Sequence, residues 1–244
     1  MRQNKTVSIF GVPITICTFI EGINLIEDII QKKKTRLVVL ANAHTLNLAY
    51  EKSDYKNVLR TGLVLRDGTG LSWAIKRQGI LPLHNFVGTD FLPDFCRLSA
   101  NKGYRIFLLG SRPGVAEAAA KKLESLAPGL IIAGCYHGYF SEDRTDEIIS
   151  RIKQTGPDIL LVAMGNPSQE LWIANNIYRL NVPVCIGVGA LFDYLGGRAA
   201  RAPRWMLSAG MEWVFRLAME PKRLWRRYFI GNVKFIMRVY REQR

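Results

Sequence analysis

The chain has 244 residues, 48% of them hydrophobic and 22% charged, with a formal net charge of +14. That is an ordinary globular composition, which excludes a disordered polyelectrolyte, and the length suits one α/β unit with an appendage. Cys17, Cys96, Cys135 and Cys185 are scattered and form no CxxC pair, so neither a zinc site nor a disulfide framework is expected and a reducing compartment fits.

The N-terminal stretch MRQNKTVSIFGVP lacks a sustained apolar run, so no signal peptide is expected. No segment approaches the roughly 20 apolar residues that cross a bilayer. VSIFGVPITICT reads as a hairpin with Gly11-Val12-Pro13 as its turn. Short apolar runs follow at 36–42, 61–67, 104–110, 129–135, 157–165 and 182–189. Helical patterns lie between most of them, as at 115–127 and 145–156. Strands without polar alternation, separated by amphipathic helices, predict an α/β architecture with a mainly parallel sheet and helices on both faces. Ligands of such sheets gather beyond the carboxyl ends of the strands, so the strand-end loops are where function is sought.

In chain order, the first such loop is Asn42-Ala43-His44. A lone histidine there is either structural or in touch with substrate, and His137 reads the same way. The second is Asp67-Gly68-Thr69-Gly70. Asp67 can cap the following helix or, with glycines leaving space beside it, accept a proton from a hydroxyl. The third, Gly110-Ser111-Arg112-Pro113-Gly114, opens a helix and is either a plain turn or an anion site. In Gly165-Asn166-Pro167-Ser168-Gln169-Glu170, Pro167 suits a first helical turn. Asn166 and Gln169 offer amides to a uracil edge or sugar hydroxyls; the alternative is a cap without ligand. The last loop carries Gly187, Gly189, Gly196 and Gly197 with Phe192 and Asp193. Asp193 reads either as a hydroxyl acceptor or as a salt-bridge partner of Arg198 or Arg201.

Residues 201–244 carry eleven Lys/Arg against three Glu, +8 of the total +14. At about 100° per residue, Trp225, Phe229, Val233, Ile236 and Tyr240 share one arc, opposite Arg223, Arg227, Lys234, Arg238 and Arg241. This composition suits a helix lying on an anionic membrane; a packed helix with a solvated basic face is the plain alternative. No nucleic-acid motif is present, so no nucleic-acid partner is expected.

Taken in order, ANAHTLNLA, DGTGL, VGTDF, LLGSRPGVAE, HGYF, PDILLVAMGNPSQELWI, GVGALFD, RAPRWM, GMEWVFRL and EPKRLWRRY resemble the WecG/TagA/CpsF family of bacterial glycosyltransferases (glycosyltransferase family 26) along nearly the whole chain. The resemblance implies a Rossmann-like catalytic domain, residues 1–200, and a basic membrane-associating appendage, residues 201–244. It implies an inverting, metal-independent transfer, with no cofactor, from a UDP-sugar to a polyprenyl-diphosphate-linked sugar. The reaction would run at the cytoplasmic membrane face, in cell-surface polysaccharide synthesis, with the enzyme peripheral. The donor sugar would be N-acetylmannosamine, N-acetylmannosaminuronic acid or glucose, and self-association is compatible with this reading.

By the same resemblance Asp67, of the DGxG motif, is the base and Gln169 lies near the donor. Asn42, His44, Gly68, Gly110, Arg112, Gly165, Asn166, Pro167, Glu170, Gly187, Gly189, Phe192 and Asp193 complete the expected donor site. Arg201, Arg204, Arg216, Arg223, Arg226 and Arg227 are expected to serve the diphosphate or the membrane. One departure stands out: many relatives carry an arginine shortly before GTD, whereas this chain has Asn85 in LHNFVGTDF. Either Arg112, His84 or a tail arginine substitutes, or the phosphate contacts differ. An oxidoreductase on the same architecture is disfavoured by the missing GxGxxG. A membrane-attached sugar-nucleotide-binding or scaffold protein without catalysis is the remaining rival.

Overall fold

The structure, a computed structural model, describes residues 5–208 and 211–242, apart from the side chains of Arg204, Ser208 and Arg223. The first half runs β1 (Thr6–Ile9), β2 (Val12–Thr15), α1 (Phe19–Gln31), β3 (Arg36–Ala41), α2 (Ala43–Glu51), α3 (Ser53–Thr61), β4 (Leu63–Arg66), α4 (Thr69–Arg77) and α5 (Gly88–Lys102). It continues through β5 (Arg105–Gly110), α6 (Val115–Leu126), β6 (Ile131–Tyr136), α7 (Thr145–Thr155), β7 (Ile159–Ala163), α8 (Ser168–Leu180), β8 (Val184–Gly187) and α9 (Leu191–Leu195). Four C-terminal helices follow: α10 (Arg204–Ser208), α11 (Glu212–Met219), α12 (Pro221–Trp225) and, after a π turn at Arg226–Ile230, α13 (Gly231–Glu242).

The strands form one sheet in the order β1-β2-β4-β3-β8-β7-β5-β6. Every pairing is parallel except β1 with β2. Two apolar clusters sandwich it, because alternate residues of each strand face opposite sides. Leu37, Val39 and Ala41 point into a cluster with α2, α3, α7, α8 and α13. Val38 and Leu40 point into the other, with α1, α5, α6 and α9. Each central strand is thus buried on both faces, which is why its sequence shows no alternation.

The structure corrects the expected N-terminal turn. It is Phe10-Gly11, both at positive φ (55° and 76°), and Val12 and Pro13 already belong to β2. Gly11 meets the backbone demand of a two-residue hairpin turn. Pro13 is tolerated because β2 meets β4 only at Thr15, so its missing N–H breaks no ladder bond. The 129–135 strand likewise starts later, at Ile131, because Gly129 turns with φ +86°.

The basic tail docks on the sheet's helical layer rather than standing apart. Leu224, Phe235 and Val239 are buried. Phe235 meets the Phe10 ring edge-on at 5.6 Å. Arg238 reaches Asn47 Oδ1 (2.8 Å) and Glu51 Oε1 (2.6 Å) and lies over Tyr50. The Phe10 N–H donates to Glu242 Oε1 at 2.7 Å, tying the last helix to the first hairpin. The docked strip therefore flanks the arc predicted from periodicity, and Trp225, Phe229, Val233, Ile236 and Tyr240 stay exposed. Truncating Phe235 to Ala removes a buried ring and should cost about 3 kcal/mol, lowering Tm by roughly 6–12 °C. Ile236→Ala, one residue on but exposed, should move Tm by less than about 2 °C; thermal unfolding of both variants checks the docking face.

Candidate active site

The Asp67 N–H donates to Ala41 O at 2.7 Å, carrying the β3–β4 pairing one residue past the strand. The side chain therefore leaves the sheet at its carboxyl edge. It does not cap α4: that position falls to Gly68, at φ +89°, with no side-chain cap bond. The capping alternative is thus overturned, because the tight turn moves the helix start one residue beyond the carboxylate.

Asn42 ends the neighbouring strand. Its Oδ1 accepts from the His44 and Thr45 N–H groups (3.1 and 3.2 Å) and caps α2. This leaves the amide NH2 to donate to Asp67. Loss of water pushes the Asp67 carboxyl up from 3.8 to about 6; the Asn42 bond and the cations Arg216 and Arg227 oppose the rise, and Glu212 adds to it. Asn85 Oδ1 accepts the Gly68 N–H at 2.8 Å and so holds the turn after Asp67. Buried Arg66 grips the same connection through Leu83 O at 3.0 Å.

Beyond the ends of four adjacent strands, β4, β3, β8 and β7, lies a cleft of about 800 Å³, within the usual span of small-molecule sites, about 300–1,000 Å³. Its floor is Asn42, Asp67, Gly68, Gly165, Asn166, Gln169, Gly187 and Gly189. Its roof comes from the C-terminal helices, with Trp213, Arg216, Arg227 and Tyr228. Arg216 pairs with Glu212 and lies 4.9 Å over the Tyr194 ring. Its Nε–H is buried without a hydrogen-bond partner, a donor suited to an anionic ligand. His44 sits at the mouth, where burial and then Arg227 lower its pKa to about 4, so it is neutral near pH 7. A second groove of about 560 Å³ opens on its other side, lined by Trp225, Arg226, Arg227 and Lys234.

Other expected site residues lie elsewhere. Gly110 and Arg112 do not line the cleft. Ser111 Oγ donates to Asp193 Oδ1 at 2.7 Å, so Asp193 is a hydroxyl acceptor within the protein. Its expected partner Arg201 pairs instead with Asp90 on the cleft rim. Phe192 and Glu170 are buried beneath the floor. Pro167, joined to Asn166 by a cis peptide, precedes α8 and is not in the lining. Arg226 lines only the second groove, while the side chains of Arg204 and Arg223 lie outside the described residues. The tail arginines Arg216 and Arg227 line the cleft, whereas Arg112 does not and His84 packs between Phe19 and Phe86.

Tyr55 beneath the floor, and Trp73, Asp90, Tyr194 and Glu212 in the lining, carry no local sequence signal of a site. Each sits in an ordinary helical pattern whose function depends on a distant partner. Among the described residues no cluster of three or more His, Cys, Asp or Glu side chains could hold a metal ion.

A family model described as "Glycosyl transferase WecG/TagA/CpsF family" matches residues 7–244. A Bacillus subtilis (strain 168) protein named N-acetylglucosaminyldiphosphoundecaprenol N-acetyl-beta-D-mannosaminyltransferase is 29% identical, covering 98% of this chain and 93% of its own length. Proteins of the same name from Staphylococcus aureus strains MW2 and NCTC 8325 / PS 47 are 30% and 29% identical, each over 92% of this chain and 89% of theirs.

The raised Asp67 pKa makes a stability prediction with a definite sign. The folded chain holds this proton more tightly than the unfolded chain, so the stabilisation is complete below about pH 4 and is lost as pH rises through about 6. Asp67→Asn does not titrate. It should exceed wild type in unfolding free energy by roughly 1–2 kcal/mol at pH 7.5, the cleft's access to water keeping the figure below the full shift. Near pH 4 the gain should vanish. Urea titrations at the two pH values check it.

Proposed function

The chain belongs to the WecG/TagA/CpsF family of glycosyl transferases, and from that membership and the cleft we propose that it transfers N-acetylmannosamine from its UDP derivative to N-acetylglucosaminyl-diphosphoundecaprenol, with inversion, at a membrane surface. The sugar assignments follow the names of the relatives. The observation that carries the mechanism is Asp67: a carboxylate at a strand end, raised to about 6 by desolvation and open to a cleft roofed by arginines.

Asp67 takes the proton of the acceptor hydroxyl as that oxygen bonds to the donor's anomeric carbon. The bond from that carbon to the UDP oxygen breaks on the opposite face, and the electron pair leaves with the diphosphate. A base with a pKa near 6 is ionised at neutral pH yet basic enough to receive the proton in the transition state. Charge growing on the diphosphate needs fixed donors. The orphaned Arg216 Nε–H and Arg227 are suited to that task. The roof would thereby make up for the arginine absent at Asn85.

Membrane engagement is inferred from the appendage. No helix among the described residues is long and apolar enough to cross a bilayer. Most exposed large apolar side chains nevertheless fall between 205 and 240, with Trp205 64% and Phe229 60% exposed. They are interspersed with Lys222, Arg226, Lys234 and Arg241. Aromatic groups with interleaved cations suit the headgroup layer of an anionic membrane, where a lipid-linked acceptor would be found.

Asp67→Asn should retain the fold and lose transfer by a factor of about 100 or more. In wild type, kcat/KM should fall tenfold per pH unit below about 6; UDP release assayed from pH 4.5 to 8 checks both. Trp225→Ser with Phe229→Ser should leave Tm nearly unchanged while reducing co-sedimentation with phosphatidylglycerol vesicles severalfold, measured against neutral vesicles.

A further inference from the structure

Beneath the cleft floor lies a buried carboxylate that the mechanism above does not use. Glu170 is 1% exposed. The groups facing it are two amides and a phenol rather than a cation. Its Oε1 accepts from Asn166 Nδ2 at 2.8 Å and from Gln169 Nε2 at 2.6 Å; its Oε2 accepts from the Tyr55 hydroxyl at 3.1 Å. Burial raises its pKa to about 7, with the Gln169, backbone and Tyr55 bonds opposing. A carboxyl buried without a countercharge is expensive, and what distinguishes it here is that it receives several donors at once.

Two of those donors, Asn166 and Gln169, line the cleft. Gln169 Oε1 accepts the Gly165 N–H at 3.1 Å and the Gly189 N–H at 3.0 Å. One side-chain carbonyl thus pins together the loops after β7 and β8, at glycines whose φ values are +77° and +56°. A flipped Gln169 amide would aim its NH2 at two N–H groups and its carbonyl at a carboxylate, so Glu170 admits one orientation only. The arrangement is tight: a Cβ on Gly187 would lie 2.6 Å from Gln169 Nε2 and 2.8 Å from Glu170 Oε1.

We propose that Glu170 is a positioning residue that never touches substrate: it orients the Gln169 amide, and through it the Gly165 and Gly189 loops, for the nucleotide donor. This rests on the reading that the cleft takes a UDP-sugar. Gln169, itself 2% exposed, keeps one N–H beyond its bond to Glu170, and Asn166, whose NH2 is directed at Glu170 and Tyr55, keeps its oxygen, so the atom each amide can offer the cleft is fixed.

The test uses the full chain with Glu170 replaced by Gln, Asp or Leu, read by UDP affinity in calorimetry and by amide exchange of Gly165 and Gly189 without ligand. Glu170→Gln can keep its carbonyl on both amides and should bind UDP within about threefold of wild type. Glu170→Asp keeps the charge but falls one methylene short. It should weaken UDP binding tenfold or more, raise the donor KM with the acceptor KM unchanged, and speed exchange at both glycines. Glu170→Leu should do the same; if it fails to fold, the Gln and Asp variants decide. In a Gln169→Ala background the Asp substitution should weaken UDP binding far less than in wild type, by no more than the share that Asn166 carries. An Asp variant that matches wild type in UDP affinity and glycine exchange overturns the proposal, as does a Gln variant weaker than the Asp variant. A wild-type chain that binds no UDP while the glycine amides still respond to the substitutions would sink the nucleotide reading and leave the clamp standing.

Discussion

The Asp67 carboxylate loses water on three sides: from the ends of β3 and β4, from the Asn42 amide, and from C-terminal helices that carry Arg216 and Arg227 over it. Desolvation raises its proton affinity, and the amide and cations limit how far. A carboxylate in water at the same strand end would be too weak a base near neutral pH; one fully enclosed would be a neutral acid. Arg216, Arg227 and Glu212 lie on a roof more than 140 residues away in sequence, so the proton affinity of this one side chain depends in part on the docking of the last helices.

That docking has its own logic. Phe235 and Val239 supply the apolar contact, Arg238 bridges Asn47 and Glu51, and Glu242 accepts from the Phe10 N–H. The π turn at Arg226–Ile230 precedes the docked helix and carries residues of both cavities. One stretch of chain therefore packs with one strip, carries Arg227 over the cleft with another, and leaves Trp225 and Phe229 to solvent. On a helix with 3.6 residues per turn, adjacent strips can serve different partners.

The floor shows the same division. Gln169 and Glu170 lie side by side in the first turn of α8, yet only Gln169 reaches the cleft lining; Glu170 lies beneath it, bonded to Gln169, Asn166 and Tyr55. Asn42 divides its work within one side chain, its oxygen capping α2 and its NH2 serving Asp67. Both arrangements use amides, the side chains that can accept on one atom and donate from the next.

Much of this was legible in the residues. Apolar runs without alternation pointed to a parallel sheet, because strands covered on both faces need no polar side, and the strand-end glycines marked where a ligand could approach. The order of strands and turns marked the loops of Asp67, Asn42, Gln169 and 187–189 as strand-end candidates without deciding between a ligand and a plain cap or turn. The N-terminal turn, the docked strip of the tail, the partner of Asp193 and the burial of Glu170 could not be placed this way. Each depends on which surface another segment covers, and local periodicity carries no information about that. Nor does local sequence separate a helix-capping Asp67 from one that faces a cleft; the turn at Gly68, which starts the helix one residue late, does. The identity of the side chains and their order along the chain determined the sheet and the candidate chemistry. Only tertiary packing decided which candidates share a cavity, because desolvation and hydrogen bonding act between neighbours in space.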